Sequence, residues 1–170
     1  MKVLVTGASG FIGTHLTKSL IRQGNDVRAL IRDKICEVKD VENVKGDVLN
    51  KRDLQNAMNG IDIVYHLAGI LGNIGIPDEI IRKVNSDGTR NVLEAAHEAG
   101  VKRLYHFSTT GVFGAGTNIK EDTEYNPETI YEKSKLLGEK AAREFMNKLS
   151  LTIIRPGVIY GPGDKSNIVK

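Results

Sequence analysis

Tyr131 and Lys135 lie four residues apart in the stretch TIYEKSKLLGEKAAREFM, whose apolar spacing predicts a helix over 129–148. Four residues is about one helical turn, so both side chains share a face. A phenol ionises near pH ~10 and exchanges protons poorly at neutrality, and an adjacent ammonium favours the phenolate. Tyr131 could then act as general acid or base toward a hydroxyl or carbonyl. A second group of hydroxyls, Ser108-Thr109-Thr110, falls at the carboxyl end of the fifth predicted strand, where one of them could hydrogen-bond a reacting carbonyl oxygen. Taken alone, the Tyr–Lys pair is more readily read as a core-capping phenol beside a solvated lysine.

A third constellation changes that balance. Gly7, Gly10 and Gly13 follow the apolar run Lys2-Val3-Leu4-Val5 in TGASGFIG and lead into Phe11, Ile12, Leu16, Leu20 and Ile21 at helical spacing. A strand that enters a glycine turn and then a helix presents backbone N–H groups and the positive end of the helix dipole together. This is an anion site, and the expected anion is a dinucleotide pyrophosphate. Gly10 would admit the phosphates and Gly13 would let the helix pack closely.

The elements that must position these groups alternate. Strands are predicted at 2–6, 26–31, 42–45, 61–66, 102–107 and 151–155, and helices at 11–23, 51–58, 78–99 and 129–148. Such alternation predicts an α/β fold, a parallel sheet with helices on both faces. Two loops interrupt it, residues 69–77 (GILGNIGIP) and 110–128. Both leave the carboxyl edge of the strands, where open α/β sheets bind ligands.

Composition narrows the function. At 170 residues, 40% hydrophobic and 26% charged, the chain suits one globular domain. A net charge of +3 with scattered basic residues does not argue for nucleic acid. Lys133, Lys135, Lys140 and Arg143, interleaved with Glu132, Glu139 and Glu144, read as a solvated helix face. A single cysteine, Cys36, excludes an internal disulfide and a cysteine-based metal site. No metal is expected, since His15, His66, His97 and His106 share no ligand spacing and read as structural or solvent-facing. No apolar run reaches the ~20 residues of a membrane span, and the expectation is a cytoplasmic protein with no membrane partner.

In order along the chain, TGASGFIG, GDV at 46–48, YHLAG at 65–69, VNSDGTRNVLEAA at 84–96, STTGVFG at 108–114, YEKSK at 131–135 and RPGVIYGPG at 155–163 resemble the extended short-chain dehydrogenase/reductases. That family includes NAD(P)-dependent nucleotide-sugar epimerases and dehydratases. The resemblance implies a Rossmann-like, doubly wound sheet over residues 1–155. It further implies that residues 156–170 begin a substrate-binding region whose remainder is missing or truncated. It assigns Thr109 as the catalytic hydroxyl, with Ser108 or Thr110 as alternatives if the turn register differs. Tyr131 becomes the acid/base, and Lys135 the group that lowers its pKa and holds the nicotinamide ribose. Cofactor contacts are implied for Gly7, Ser9, Gly10, Phe11, Ile12 and Gly13 at the pyrophosphate and for Asp47 and Val48 at the adenine. Leu67, Ala68, Gly69 and Pro156 would line the remainder. Asn85 matches an asparagine near the active site, or is a structural amide on its helix.

The residue ending the second strand separates the two nicotinamide cofactors, an acid favouring NAD and a nearby arginine NADP. Here Ile31 is followed by Arg32, which predicts NADP over NAD, with Asp33 close enough to reverse it. Thr110-Gly111 replaces the Asp-Glu pair that sugar dehydratases of this family carry, which disfavours dehydration. Epimerisation of a nucleotide-sugar is expected, with NADP-dependent carbonyl reduction and nicotinamide sensing by a binding module as alternatives. As it stands the chain is expected to bind cofactor with weak or no turnover. Leu136, Leu137, Ala141, Phe145 and Met146 serve either a core or a homodimer face.

Overall fold

The computed structural model describes residues 1–72 and 75–164. Parts of the 69–77 loop and of the 156–170 segment therefore lie outside the described residues. Strands β1 (Lys2–Thr6), β2 (Asp26–Ile31), β3 (Glu42–Lys45), β4 (Ile63–His66), β5 (Arg103–Phe107) and β6 (Leu151–Ile154) form one sheet in the order β3-β2-β1-β4-β5-β6. Every pairing is parallel. The order reverses between β1 and β4, which opens a crevice at their carboxyl ends.

Helices α1 (Phe11–Arg22), α2 (Lys51–Met58), α3 (Asp78–Arg82), α4 (Gly88–Glu98) and α5 (Ile130–Glu144) supply the crossovers. Period-two alternation in β1 sends Leu4 into a core with Leu54, Val92, Leu93 and Ala142, while Val3 and Val5 join Leu20, Val27 and Ala29 in another. The doubly wound sheet with helices on both faces is thus as expected. Two helix starts follow capping chemistry. Asn50 caps α2, and Thr129 with Glu132 forms a capping box on α5.

The expected single helix over 78–99 is instead α3, a π-helical segment Lys83–Asp87, and α4. A periodicity read at 3.6 residues per turn does not register this wider winding, which is often found at functional sites. Of the α5 positions open to core or dimer, Leu136, Ala141 and Phe145 are buried, and Leu137 and Met146 are exposed.

The π segment packs directly on α5 because position 138 lacks a side chain. A Cβ on Gly138 would fall 2.6 Å from the Asn85 carbonyl oxygen and 3.1 Å from Thr89 Oγ1. Gly138→Ala is therefore expected to destabilise the chain by ~1–3 kcal/mol, although alanine is the better helix former by ~1 kcal/mol. Urea denaturation measures this, and unchanged or raised stability would show that α5 is free to move off Asn85.

Candidate active site

The carboxyl ends of β1, β2, β4 and β5 open into two cavities of about 410 Å³ each that share Gly7, Gly10, Leu67 and Gly69. They form one cleft running across the glycine turn. One end is lined by Ser9, Arg32, Asp33, Asp47 and Val48, with Ala68 in its wall. The other holds Phe11, Ile12, Gly13, Thr109, Tyr131, Lys135 and Pro156. The structure therefore brings together every sequence-identified site residue except Asn85.

At the centre, β1 ends at Thr6 and Gly7 turns the chain with φ +73°. Gly10 N–H donates to the Gly7 carbonyl, and α1 begins with no side-chain cap and no acid in its first turn. The opening amides of a helix have no intrahelical acceptor. Those of α1 are left for a ligand at the positive end of the dipole, whereas α2 and α5 have their own caps. This open end fits a dinucleotide pyrophosphate.

At the far end, Lys135 is buried, and its ammonium donates to the Phe107 carbonyl. Burial lowers its pKa to about 8, opposed by Glu139 one turn along α5. Tyr131 corrects an expectation: burial, with the charge of Glu132, raises its pKa, and no lowering by Lys135 is present. Lys135 points to the strand instead, and the phenol is held protonated. Thr109 is partly buried, and its Oγ1 accepts from Gly111 N–H at 3.2 Å, which leaves its own hydrogen to donate.

The solvated helix face also needs correction. Lys133, Lys140 and Glu144 are exposed, but Lys135 and Glu139 are buried. Glu139 accepts from Arg155 Nε at 2.9 Å, from the Tyr125 hydroxyl at 2.6 Å and from Arg143 at 3.3 Å. Burial alone would raise its pKa. Hydrogen bonds from Arg155 and Tyr125, with the Arg155 charge, reverse this and hold it at about 2. Glu139 thereby fastens the 110–128 segment, α5 and the exit of β6 to one another. Charge alternation along α5 reads Glu139 as solvated because Tyr125 and Arg155 lie 14 and 16 residues away in the chain.

Asn85 is also placed differently from a cofactor contact. It is completely buried and absent from the cleft lining. Its side chain accepts from Ile70 N–H at 2.8 Å and donates to the Ile70 carbonyl at 3.0 Å and Ser134 Oγ at 2.9 Å. These bonds direct the amide to protein partners. Residues that the sequence did not single out, Leu71, Val158 and Ile159, complete the Tyr131 end. After β6 the chain turns back over this end, where Pro156 O accepts from Thr110 N–H and Pro162 O meets His15 Nε2 at 2.9 Å. Among the described residues no cluster of three metal-ligating side chains occurs, and no helix is long and apolar enough to cross a membrane.

Known proteins bear on this geometry. A model of the NAD dependent epimerase/dehydratase family matches residues 3–170. The N-acetyl-alpha-D-glucosaminyl-diphospho-ditrans,octacis-undecaprenol 4-epimerase of Escherichia coli O157:H7 is 36% identical over 98% of this chain and 51% of its own. A 3-beta-hydroxysteroid dehydrogenase of Mycolicibacterium neoaurum is 31% identical over 97% and 49%. The crystal structure of UDP-glucuronic acid 4-epimerase from Bacillus cereus, in complex with NAD, superposes with a TM-score of 0.87 at 30% identity, covering 99% of this chain and 60% of that one. The chain spans about half the length of the curated relatives it matches.

The expectation of NADP is overturned. NAD is the dinucleotide in that structure and in further solved structures of the same fold. The local chemistry gives a reason: Arg32 Nε donates to Asp33 Oδ2 at 2.7 Å, and Asp47 adds a second nearby negative charge. A guanidinium engaged by one carboxylate and flanked by another is poorly placed to receive a 2′-phosphate.

Buried neutral imidazoles give the molecule a pH signature. Burial first, and Lys135 second, lower the pKa of His66 from 6.5 to about 3, and His106 is lowered by the same causes. The unfolded chain gains protons below pH 6.5 that the folded chain refuses, so stability falls as pH drops. His66 alone contributes a loss of roughly 2 kcal/mol by pH ~5. Glu139 adds a second loss, because stability present above its ordinary pKa of 4.5 disappears as pH falls toward about 2. Urea midpoints across pH ~7 to ~4 measure both, and a flat profile above pH ~5 would contradict the neutral assignment.

Proposed function

Because the chain belongs to the NAD dependent epimerase/dehydratase family, we propose that its cleft binds NAD and carries the proton-transfer groups for reversible oxidation of a nucleotide-sugar hydroxyl, in the manner of a 4-epimerase. The observation that carries this reading is the continuity of the cleft. It runs from Asp33 and Asp47, across the uncapped start of α1, to Tyr131, Lys135 and Thr109.

In this reading Asp33 and Asp47 favour hydroxyls over a phosphate at the adenosine end, and the amides of Phe11, Ile12 and Gly13 receive the pyrophosphate. NAD, when bound, supplies the hydride acceptor. Thr109 donates its hydroxyl hydrogen to the reacting oxygen and fixes its position. Tyr131 as phenolate takes the hydroxyl proton when the substrate is oxidised, and as phenol, the form its burial favours, it returns that proton to the carbonyl oxygen. Lys135, which lines the same end of the cleft, would hold the nicotinamide ribose. Thr110-Gly111, in place of an Asp-Glu pair, disfavours dehydration.

A second reading has its own support. Leu71 and Val158 are exposed apolar side chains beside Tyr131, with Ile159 next to them, and the matched relatives include hydroxysteroid and sterol dehydrogenases. Net oxidation of a hydroxyl on an apolar ring system would accumulate NADH, whereas epimerisation restores NAD.

Calorimetry is expected to give NAD binding at least ~10-fold tighter than NADP, a difference of ~1.4 kcal/mol. NADP binding as tight or tighter would defeat the assignment of the Asp33 end. With UDP-glucuronic acid or UDP-N-acetylglucosamine, Tyr131→Phe should retain NAD affinity and lower turnover by ~10²–10⁴-fold. Unchanged turnover would remove Tyr131 from the mechanism.

A further inference from the structure

Thr6, His66, Thr89 and Asn85 lie between the cleft wall and the core, all at most 1% exposed. Counting hydrogens along them fixes every donor. Thr89 Oγ1 sits 2.7 Å from the Asn85 carbonyl, which can only accept, so the hydroxyl hydrogen of Thr89 is committed there. The same oxygen is 3.0 Å from His66 Nε2 and must accept from it, so Nε2 carries a proton. Burial keeps the ring neutral, and a neutral imidazole has one proton. Nδ1 is therefore an acceptor, and Thr6 Oγ1, 2.7 Å away, donates to it. Thr6 Oγ1 in turn accepts from Ala68 N–H at 3.2 Å.

The bonds form one directed chain from the Ala68 amide, through Thr6, His66 and Thr89, to the Asn85 carbonyl. The Asn85 side chain continues it to Ile70 and to Ser134, and the Ser134 hydroxyl donates to the Tyr131 carbonyl at 2.6 Å. Ala68 and Ile70 line the cleft at one end, and Tyr131 lines it at the other.

We propose that His66, locked as its Nε2–H tautomer, is a positioning residue that fixes the cleft wall at Ala68 relative to the turn of α5 bearing Tyr131. The assignment of a cleft function to it rests on the NAD-binding reading above. The tautomer follows from geometry alone. Protonating Nδ1 would turn two hydrogens toward each other between His66 and Thr6, and Thr6 is too buried to turn its own to water. The groups facing His66 also oppose a positive charge. His106 of β5 stacks on it at 5.5 Å, and the Lys135 ammonium of α5 lies near both rings, with Glu139 one turn beyond on the side of Lys135. From β1 and α4 it meets the hydroxyls of Thr6 and Thr89.

The test is nitrogen–proton correlation NMR of the full chain with labelled histidine, from pH ~7.5 to ~5. His66 is expected to show the Nε2–H pattern throughout, with and without NAD. An Nδ1–H pattern, or a titration midpoint inside that range, overturns the proposal. Thr89→Val keeps the shape and removes the hydroxyl acceptor, and Thr89→Ser keeps the hydroxyl. NAD affinity should fall about tenfold in the first and be restored in the second. Equal weakening in both, or in neither, overturns the positioning role. Should Thr89→Val fail to fold, Thr6→Val and Thr6→Ser make the same comparison from the other end, and the tautomer of the unsubstituted chain decides the assignment regardless. Absence of NAD binding by the unsubstituted chain, with the Nε2–H tautomer observed, would refute the cleft reading and leave the tautomer intact.

Discussion

Two missing side chains hold the architecture of the cleft together. A Cβ on Gly13 would lie 2.2 Å from the Gly7 carbonyl oxygen and 2.7 Å from Ala8 Cα, and one on Gly7 would lie 2.8 Å from the Ala68 nitrogen. These neighbours are backbone, so no rotamer change relieves the contact. The end of β1, the start of α1 and the exit of β4 therefore meet at one point within contact distance. That closeness aims the uncapped amides of α1 into the cleft and puts Leu67, Ala68 and Gly69 along its wall. It also brings the exit of β4 close enough to β1 for Thr6 to reach both Ala68 and His66.

A second constraint is electrostatic. Lys135 is buried beside two imidazoles that carry no charge, and its ammonium has a backbone carbonyl as hydrogen-bond partner. Glu139, on the next turn of α5, offsets part of the cost of that burial. The carboxylate is itself surrounded by donors from Arg155, Tyr125 and Arg143, and the Arg155 guanidinium also lies over the Phe113 ring at 5.1 Å. Breaking one partner of such a buried network leaves an uncompensated charge, so the members stand or fall together. The consequence for the site is geometric: the segment carrying Thr109, the helix carrying Tyr131 and the chain leaving β6 toward Pro156 are fixed to a common point.

Much of this was legible in the residues. Alternation of apolar runs placed all six strands, and the spacing of Gly7, Gly10 and Gly13 marked the turn where β1 meets α1, because backbone closeness there depends on residue type. The four-residue spacing of Tyr131 and Lys135 placed both in the cleft. What periodicity could not supply were partners distant in sequence. Charge alternation along α5 read Glu139 as solvated, since nothing local announces Arg155 or Tyr125. Asn85 matched a motif, but its burial depends on a π-helical turn that a 3.6-residue period does not register. Arg32 suggested a phosphate ligand because residue type alone does not reveal that Asp33 already engages it.

The central claim is that one dinucleotide lies along the whole cleft, with its pyrophosphate on α1 and its nicotinamide end at Tyr131. A crystal structure of the chain grown with NAD tests this most directly. The account predicts phosphate oxygens within hydrogen-bond distance of the Phe11 and Ile12 amides, the adenosine beside Asp33 and Asp47, and the nicotinamide ribose reaching Lys135. A dinucleotide bound in the reverse direction, or outside the cleft with α1 still uncapped, would contradict it.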